Sequence, residues 1–358
     1  MTLLITGSTG LVGQVLVNYL MKKTTYTNKP YELRLLVRKR NGNPHRRRFI
    51  RWCEKKGIDI VYGDLRKHED VIGFTRVPDP QSSVLIHSGA IFNLWQPFEL
   101  LYDVNVNGTK RILTAFHRNR IRKLLHISSV VVYGSLNGKN GTALTEDQPL
   151  DFEMEKGYEL SKVLGEKYVQ DYQQHYPERL VTILRPSGIV GGSGTTLDVF
   201  SRLFVGRFVS LPRGGHDKIS LVDVEDVARA IHYFSDFNKG NGEIFNLVGF
   251  IPTLREVVKE LSWALKRSKV AIIPIPLFMF KPFYHFAKGV RKIKPAKEKS
   301  LLLPILFNKL GRDIWIDNGK SRSKGFITKI NLHESMEKFS SFLVENPWYV
   351  KKKFGVAL

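Results

Sequence analysis

Only one cysteine, Cys53, stands among the 358 residues. That excludes an intrachain disulfide and a cysteine-built metal site, and fits a reducing compartment. No apolar run approaches the roughly 20 residues that a membrane-spanning helix needs. The first strand begins by Leu3, leaving no room ahead of it for a secretory leader. The expectation is a cytoplasmic protein with no metal centre. Acidic residues are scarce: 33 Asp and Glu face 56 Lys and Arg, a formal charge of +23. That excess draws the chain toward anions, whether a phosphorylated cofactor, nucleic acid or an acidic lipid surface. Hydrophobic residues make up 42% and charged residues 25%, a globular composition with length for one large domain or two unequal ones.

The organising stretch lies at the start. Leu3-Leu4-Ile5 is a short apolar run, followed at once by Thr6-Gly7-Ser8-Thr9-Gly10-Leu11-Val12-Gly13 and then an amphipathic segment, Gln14 to Lys22. Strand, glycine-rich turn, helix is the setting of a dinucleotide-binding loop. Gly7 would permit the tight turn, Gly10 the approach of a pyrophosphate, and Gly13 close packing of the helix on the sheet. Free N–H groups at the helix start favour an anion. A merely structural turn would carry the same glycines, so the rest of the chain has to decide.

Further strands are predicted at 32–38, 58–62, 84–87, 123–128, 180–184 and 244–248, with helical segments between them. This is the alternation of a doubly wound parallel sheet. The second strand runs into Arg38-Lys39-Arg40 with no carboxylate near. A carboxylate there would serve the ribose hydroxyl of NAD; arginine suits the 2′-phosphate of NADP. Ser8 and Thr9 are further candidates for phosphate contact, and a solvated basic loop continuing to Arg46-Arg47-Arg48 is the plainer alternative. The fourth strand ends in small residues, Ser88-Gly89-Ala90, against which a cofactor can lie. Tyr158 and Lys162, four apart at the start of a helix reaching about Tyr176, share one helical face.

These motifs together resemble an extended short-chain dehydrogenase/reductase of the NAD-dependent epimerase/dehydratase type. The resemblance rests on the loop at 6–13, Gly-Asp-Leu at 63–65, Asn-Val-x-Gly-Thr at 105–109, Ser-Ser…Tyr-Gly at 128–134, Tyr-x-x-x-Lys at 158–162 and Arg-Pro…Val-Gly at 185–191. Gly89 departs from the alanine that relatives often carry. The resemblance implies an α/β, Rossmann-type doubly wound sheet with a smaller, mainly C-terminal substrate domain: 1–191 and 223–250 for the cofactor, 192–222 and 251–358 for the substrate. It implies Tyr158 as general acid/base, Lys162 as its electrostatic partner and ribose ligand, and Ser129 as the hydroxyl orienting the substrate. A lysine ammonium one turn away is expected to lower the phenol's pKa from its ordinary value near 10. Cofactor contacts are expected from residues 6–13, Arg38, Asp64, Leu65, Ser88, Gly89, Ala90, Asn105, Tyr158, Lys162, Pro186 and Ser187. A dimer through the helices near Asn107 and Tyr158 is implied in the same way.

The substrate is less legible. Phe200, Phe204 and Phe208 share a helical spacing that suits core packing or substrate contact. Ile272 to Leu277 is apolar and broken by prolines. From Met279 to Lys294 an apolar arc (Phe280, Phe283, Phe286, Val290) opposes a basic one (Lys281, Lys288, Arg291, Lys292). Such a helix lies in an anionic membrane interface or caps a domain. The tail resembles the 3β-hydroxysteroid dehydrogenase and β-keto-acyl reductase branch of the family. The leading expectation is an NADP-dependent reductase of a ketone on a sterol-like or long acyl substrate, cytoplasmic and peripheral to the membrane through 270–307. The alternatives are a nucleotide-sugar epimerase or dehydratase, a thioester reductase meeting its carrier or coenzyme through 46–51, and a basic nucleic-acid-binding or assembly protein using 46–48 and 351–353. No nucleic-acid motif accompanies the last.

Overall fold

The computed structural model describes residues 1–27, 31–39, 44–92, 96–134, 142–191, 204–205, 208–266, 270–276, 278 and 314–346. The helix expected at 279–294, most of the segment 270–307 and the basic 351–353 lie outside the described residues.

Seven strands form one parallel sheet: β1 (Thr2–Thr6), β2 (Glu32–Val37), β3 (Asp59–Tyr62), β4 (Ser83–His87), β5 (Lys123–Ile127), β6 (Leu180–Pro186) and β7 (Glu243–Leu247). Their spatial order is 3-2-1-4-5-6-7. A parallel sheet is covered on both faces, which is why β1, β4 and β5 are near-continuous apolar runs and are buried almost end to end. On one face pack α1 (Leu11–Thr27), α2 (Pro44–Lys55) and, later in the chain, the helix Val224–Phe234, through Leu16, Leu20, Phe49, Ile231 and Phe234. On the other face pack α3 (His68–Thr75), α4 (Gly108–Arg118) and α5 (Tyr158–His175), through Phe74, Ile112, Phe116 and Val169. Strand order reverses between β1 and β4. The crevice outside their carboxyl ends is where such sheets bind ligands.

A second apolar cluster joins Val190, Val209, Leu211 and Leu221 to Leu254, Val257 and Leu261 of α7 (Leu254–Ala264) and to Met336, Phe339 and Leu343 of α8 (Leu332–Glu345). The helix Val224–Phe234, between α5 and α7, is α6. Both α7 and α8 open with a capping box, Thr253 with Glu256 and Asn331 with Glu334. The helical spacing read from Phe200, Phe204 and Phe208 does not hold for the last two. They sit on strands 204–205 and 208–212, which pair antiparallel, because β-branched and aromatic residues around them favour extended chain. Ala271–Ile275 is likewise a strand despite its proline. It occupies the edge of a three-stranded sheet, parallel to 208–212, where a missing N–H can be spared. Among the described residues, no helix is long and apolar enough to cross a membrane.

Candidate active site

The glycine loop turns off β1 with Gly7 at φ 72°, and Gly10 N–H closes it on Gly7 C=O at 2.9 Å. A Cβ on Gly7 would come within 2.6 Å of the Ser88 carbonyl oxygen, so the loop abuts the end of β4. Gly13 is more tightly confined. Its Cβ would lie 2.3 Å from Gly7 O and 2.5 Å from Ser8 Cα. This corrects the expected role: Gly13 lets the helix close on the loop itself, while Gly7 provides the close approach to a neighbouring strand. Gly13→Ala should therefore destabilise the fold by about 1–3 kcal/mol and weaken nucleotide binding together, read by denaturation midpoint and by quenching of NADPH fluorescence. Unchanged values for both would refute the packing argument.

Thr6, Gly7, Thr9, Gly10, Arg38, Asp64, Leu65, Ser88, Gly89 and Ala90 line one cavity with Arg46, Leu36, Gly63, Ile91 and Val104. These ten were expected. Leu11, Val12 and Gly13 form the first helical turn behind it. Gly89 is held there by geometry, since a Cβ would meet Leu65 Cδ1 at 2.8 Å and Thr6 Oγ1 at 2.9 Å. The buried hydroxyls of Ser8 and Ser187 have no hydrogen-bond partner, and Ser187 follows Pro186 at the end of β6. A cradle that glycine fits and orphaned hydroxyls are together suited to a dinucleotide.

Arg38 projects from the end of β2 and Arg46 from the first turns of α2, both into this cavity. No ion pair to either occurs among the described residues. Burial, and then the charge of Arg38, hold the Arg46 guanidinium below its usual range. Two like charges are thus kept together at the adenosine side. The nearby Asp64 carboxylate is already engaged: Arg66 donates to it at 2.8 Å, and that bond keeps it below the ordinary carboxylate range. Sequence reading offered the stretch 46–48 as a basic loop, a carrier or coenzyme contact, or a nucleic-acid-binding patch. What it could not see is that α2 turns its first arginine inward and leaves Arg47 and Arg48 exposed.

A hydrogen-bond chain ties the loop to the neighbouring elements. Thr109 Oγ1 donates to the Asn105 carbonyl at 2.7 Å, so it accepts from His87 Nε2 (3.1 Å), and His87 Nδ1 accepts from Thr6 Oγ1 (2.8 Å). The Gly89 N–H then donates to Thr6 Oγ1 at 3.1 Å. Burial pushes His87 down to about 3, so it stays neutral and structural. Asn105 sits in a π-helical stretch, Tyr102–Asn107, an irregularity often found at functional sites. Its side chain accepts from Ile91 N–H (2.8 Å) and donates to Ser161 Oγ (2.9 Å), clamping the chain after β4 to α5. Phe92, next in sequence, meets the Tyr158 ring edge-on at 4.8 Å.

Tyr158 is the first residue of α5, and Lys162, buried, donates to the Ile127 carbonyl at 2.9 Å. The expected lowering of the phenol's pKa is not what this arrangement gives. Burial, reinforced by Glu159, raises Tyr158 above its ordinary range, and burial lowers Lys162 to about 8. Desolvation outweighs the attraction between them, so the phenol is protonated at neutral pH. Ser129 accepts from Val131 N–H at 3.3 Å and keeps part of its surface open, while Ser128 is buried and donates to Glu166. The two serines have different partners, and of the two Ser129 keeps open surface. Glu166 and Arg185 form a buried ion pair beneath them. Arg185 was read only as part of the Arg-Pro motif at 185–191, and Glu166 was not singled out, although it continues the four-residue spacing of Tyr158 and Lys162.

Comparison with known proteins bears on what this crevice serves. The chain is 26% identical over 247 residues to an N-acetyl-alpha-D-glucosaminyl-diphospho-ditrans,octacis-undecaprenol 4-epimerase of Escherichia coli O157:H7, covering 68% of this chain and 71% of that protein. It is 21% identical over 336 residues to a 4-hydroxy-2-methyl-3-oxo-4-farnesyl-3,4-dihydroquinoline-1-oxide ketoreductase of Stigmatella aurantiaca, covering 93% of this chain and 94% of that one. In fold it matches a dTDP-glucose 4,6-dehydratase of Bacillus anthracis solved in complex with NAD, with a TM-score of 0.70, 20% identity and 98% of each chain covered. The model of the NAD dependent epimerase/dehydratase family matches residues 3–248. The glycine cradle, the seven-stranded parallel sheet and the Tyr158–Lys162 helix thus belong to an enzyme of the NAD-dependent epimerase/dehydratase family, an extended short-chain dehydrogenase/reductase that works with a nicotinamide dinucleotide.

Proposed function

We propose that this enzyme reduces a ketone on an apolar substrate with NADPH. The observation that carries the reading is the pair Arg38 and Arg46, both lining the nucleotide cavity and neither ion-paired among the described residues. A 2′-phosphate relieves their mutual repulsion with charge-assisted hydrogen bonds; the ribose hydroxyls of NADH do not. Residues built on the sheet, 1–191 and 223–250, hold the nucleotide, and the cluster formed by 192–222 and 251–358 shapes the substrate side.

The bound nicotinamide supplies the hydride. Ser129 donates its hydroxyl to the carbonyl oxygen and fixes its place. Tyr158, protonated because burial raises it, gives that oxygen the proton it needs as an alcohol forms. Lys162, charged below about 8, stabilises the phenolate left behind. The likeness to a ketoreductase of a farnesylated quinoline along nearly the whole chain supports the apolar substrate class.

The second reading is a nucleotide-sugar epimerase or dehydratase with NAD retained. The likeness to a UDP-glucose 4-epimerase of Vibrio cholerae, 27% identical over 291 residues, favours it; the arginine pair speaks against it. A pH profile tests the first. Because the lysine is depressed from 10.5 to about 8, it is charged below that value and neutral above it. The kcat/KM for ketone reduction should be level from about pH 6 to 7 and fall toward tenfold per unit well above 8. A rate that climbs through this range would assign Tyr158 the opposite role, as a base.

A further inference from the structure

Tyr158, Lys162 and Glu166 recur every four residues along one face of α5, with Lys162 one turn from each of the others. Glu166 is wholly buried and Arg185, from β6, is 1% exposed. The guanidinium grips the carboxylate at two oxygens, from Nε at 3.0 and 3.2 Å and from a terminal nitrogen at 2.5 Å. Gln170 adds a bond at 2.7 Å, and Ser128, at the end of β5 and adjoining Ser129, donates its hydroxyl. Arg185 in turn donates to the Tyr133 hydroxyl at 2.7 Å, which donates to Asn246 Oδ1 at 2.7 Å. One buried carboxylate therefore joins the helix carrying Tyr158 and Lys162 to the strand end carrying the serine pair and to β6.

Stability alone does not account for it. A fully buried ion pair costs desolvation that its attraction scarcely offsets, and apolar residues of similar volume often replace such pairs without loss. Besides Glu166, the Ile127 carbonyl accepts from the ammonium at 2.9 Å but carries no charge. His87 of β4 and His126 of β5, tilted rings 5.4 Å apart, are held neutral by burial and by the lysine's own charge, and His126 has neither ring nitrogen bonded. Tyr158 is a neutral phenol. Glu166 is the one anion facing the lysine on its helix.

We propose that Glu166, fixed by Arg185, is a positioning residue that keeps the Lys162 ammonium charged inside an otherwise unfavourable pocket while holding the serine-bearing strand end against the same helix. This rests on the catalytic reading of Lys162 but is tested without turnover. Protein labelled with 13C at the lysine ε-carbon gives a titration for Lys162, identified as the resonance lost in Lys162→Arg. In the parent its midpoint lies near about 8. In Glu166→Gln, which keeps the shape of the carboxylate, the midpoint should fall by roughly one unit or more. The double variant Glu166→Met/Arg185→Met removes both charges while keeping an apolar fill, and should fold and also titrate lower than the parent. A midpoint within about 0.2 units of the parent's, in a folded protein of either kind, would overturn the proposal, since a purely structural pair leaves the lysine's titration alone. The catalytic reading fails separately, if Lys162→Met oxidises NADPH with a ketone as fast as the parent.

Discussion

Tyr158→Phe should lose about 10²–10⁴ in kcat while binding NADPH within about twofold of the parent. The substitution removes one oxygen and leaves the ring, so the edge contact with Phe92 at 4.8 Å and the start of α5 stay in place. What disappears is the proton that the nascent alkoxide needs. Water is a poor substitute, because the phenol lies where burial dominates its titration. Steady-state rates beside NADPH fluorescence titrations separate the two effects. If affinity for the nucleotide fell in step with the rate, the tyrosine would be holding the cofactor, and the proton donor would have to be sought elsewhere.

The second large effect concerns the nucleotide. Arg38→Asp should weaken NADPH binding by about 10- to 100-fold, the worth of one charge-assisted hydrogen bond at about 1.5–3 kcal/mol, and strengthen NADH binding. Arg46→Gln should weaken NADPH less and leave NADH unchanged, since burial and the neighbouring Arg38 already disfavour its charge. Raising the salt from 50 to 500 mM should cost the parent more affinity for NADPH than for NADH. An unaltered NADPH to NADH ratio in Arg38→Asp would leave the arginines without a role in cofactor choice and would favour the epimerase reading with NAD retained.

Much of this site lay open in the chain because its signals are local. Thr6 to Gly13 is dictated by backbone space at successive residues, and Gly7 shows it directly with φ 72°. Tyr158 and Lys162 declare themselves by helical spacing. The central strands β1 and β4 were legible because burial on both faces makes them short, largely apolar runs. What escaped was the product of long-range packing. Nothing near Asn105 reveals that it will clamp Ile91 to Ser161 through a π-helical turn. Arg185 reads as part of an Arg-Pro motif until β6 lies beside α5 and brings it to Glu166. The phenol's titration was misjudged for a related reason: spacing gives the lysine's distance along the helix but not the desolvation of both groups. Phe204 and Phe208 misled because a four-residue interval also fits two residues on antiparallel strands.

The central claim is that a hydride passes to a carbonyl carbon while Tyr158 protonates its oxygen. Its most direct measurement uses NADPH deuterated at the nicotinamide C4 with a panel of apolar ketones and a β-keto-acyl thioester, followed by mass spectrometry of the products. The account predicts deuterium on the carbinol carbon of at least one alcohol with the parent enzyme, and background labelling with Tyr158→Phe. No labelled alcohol from any ketone, with a nucleotide sugar interconverted instead and no NADPH consumed, would contradict it.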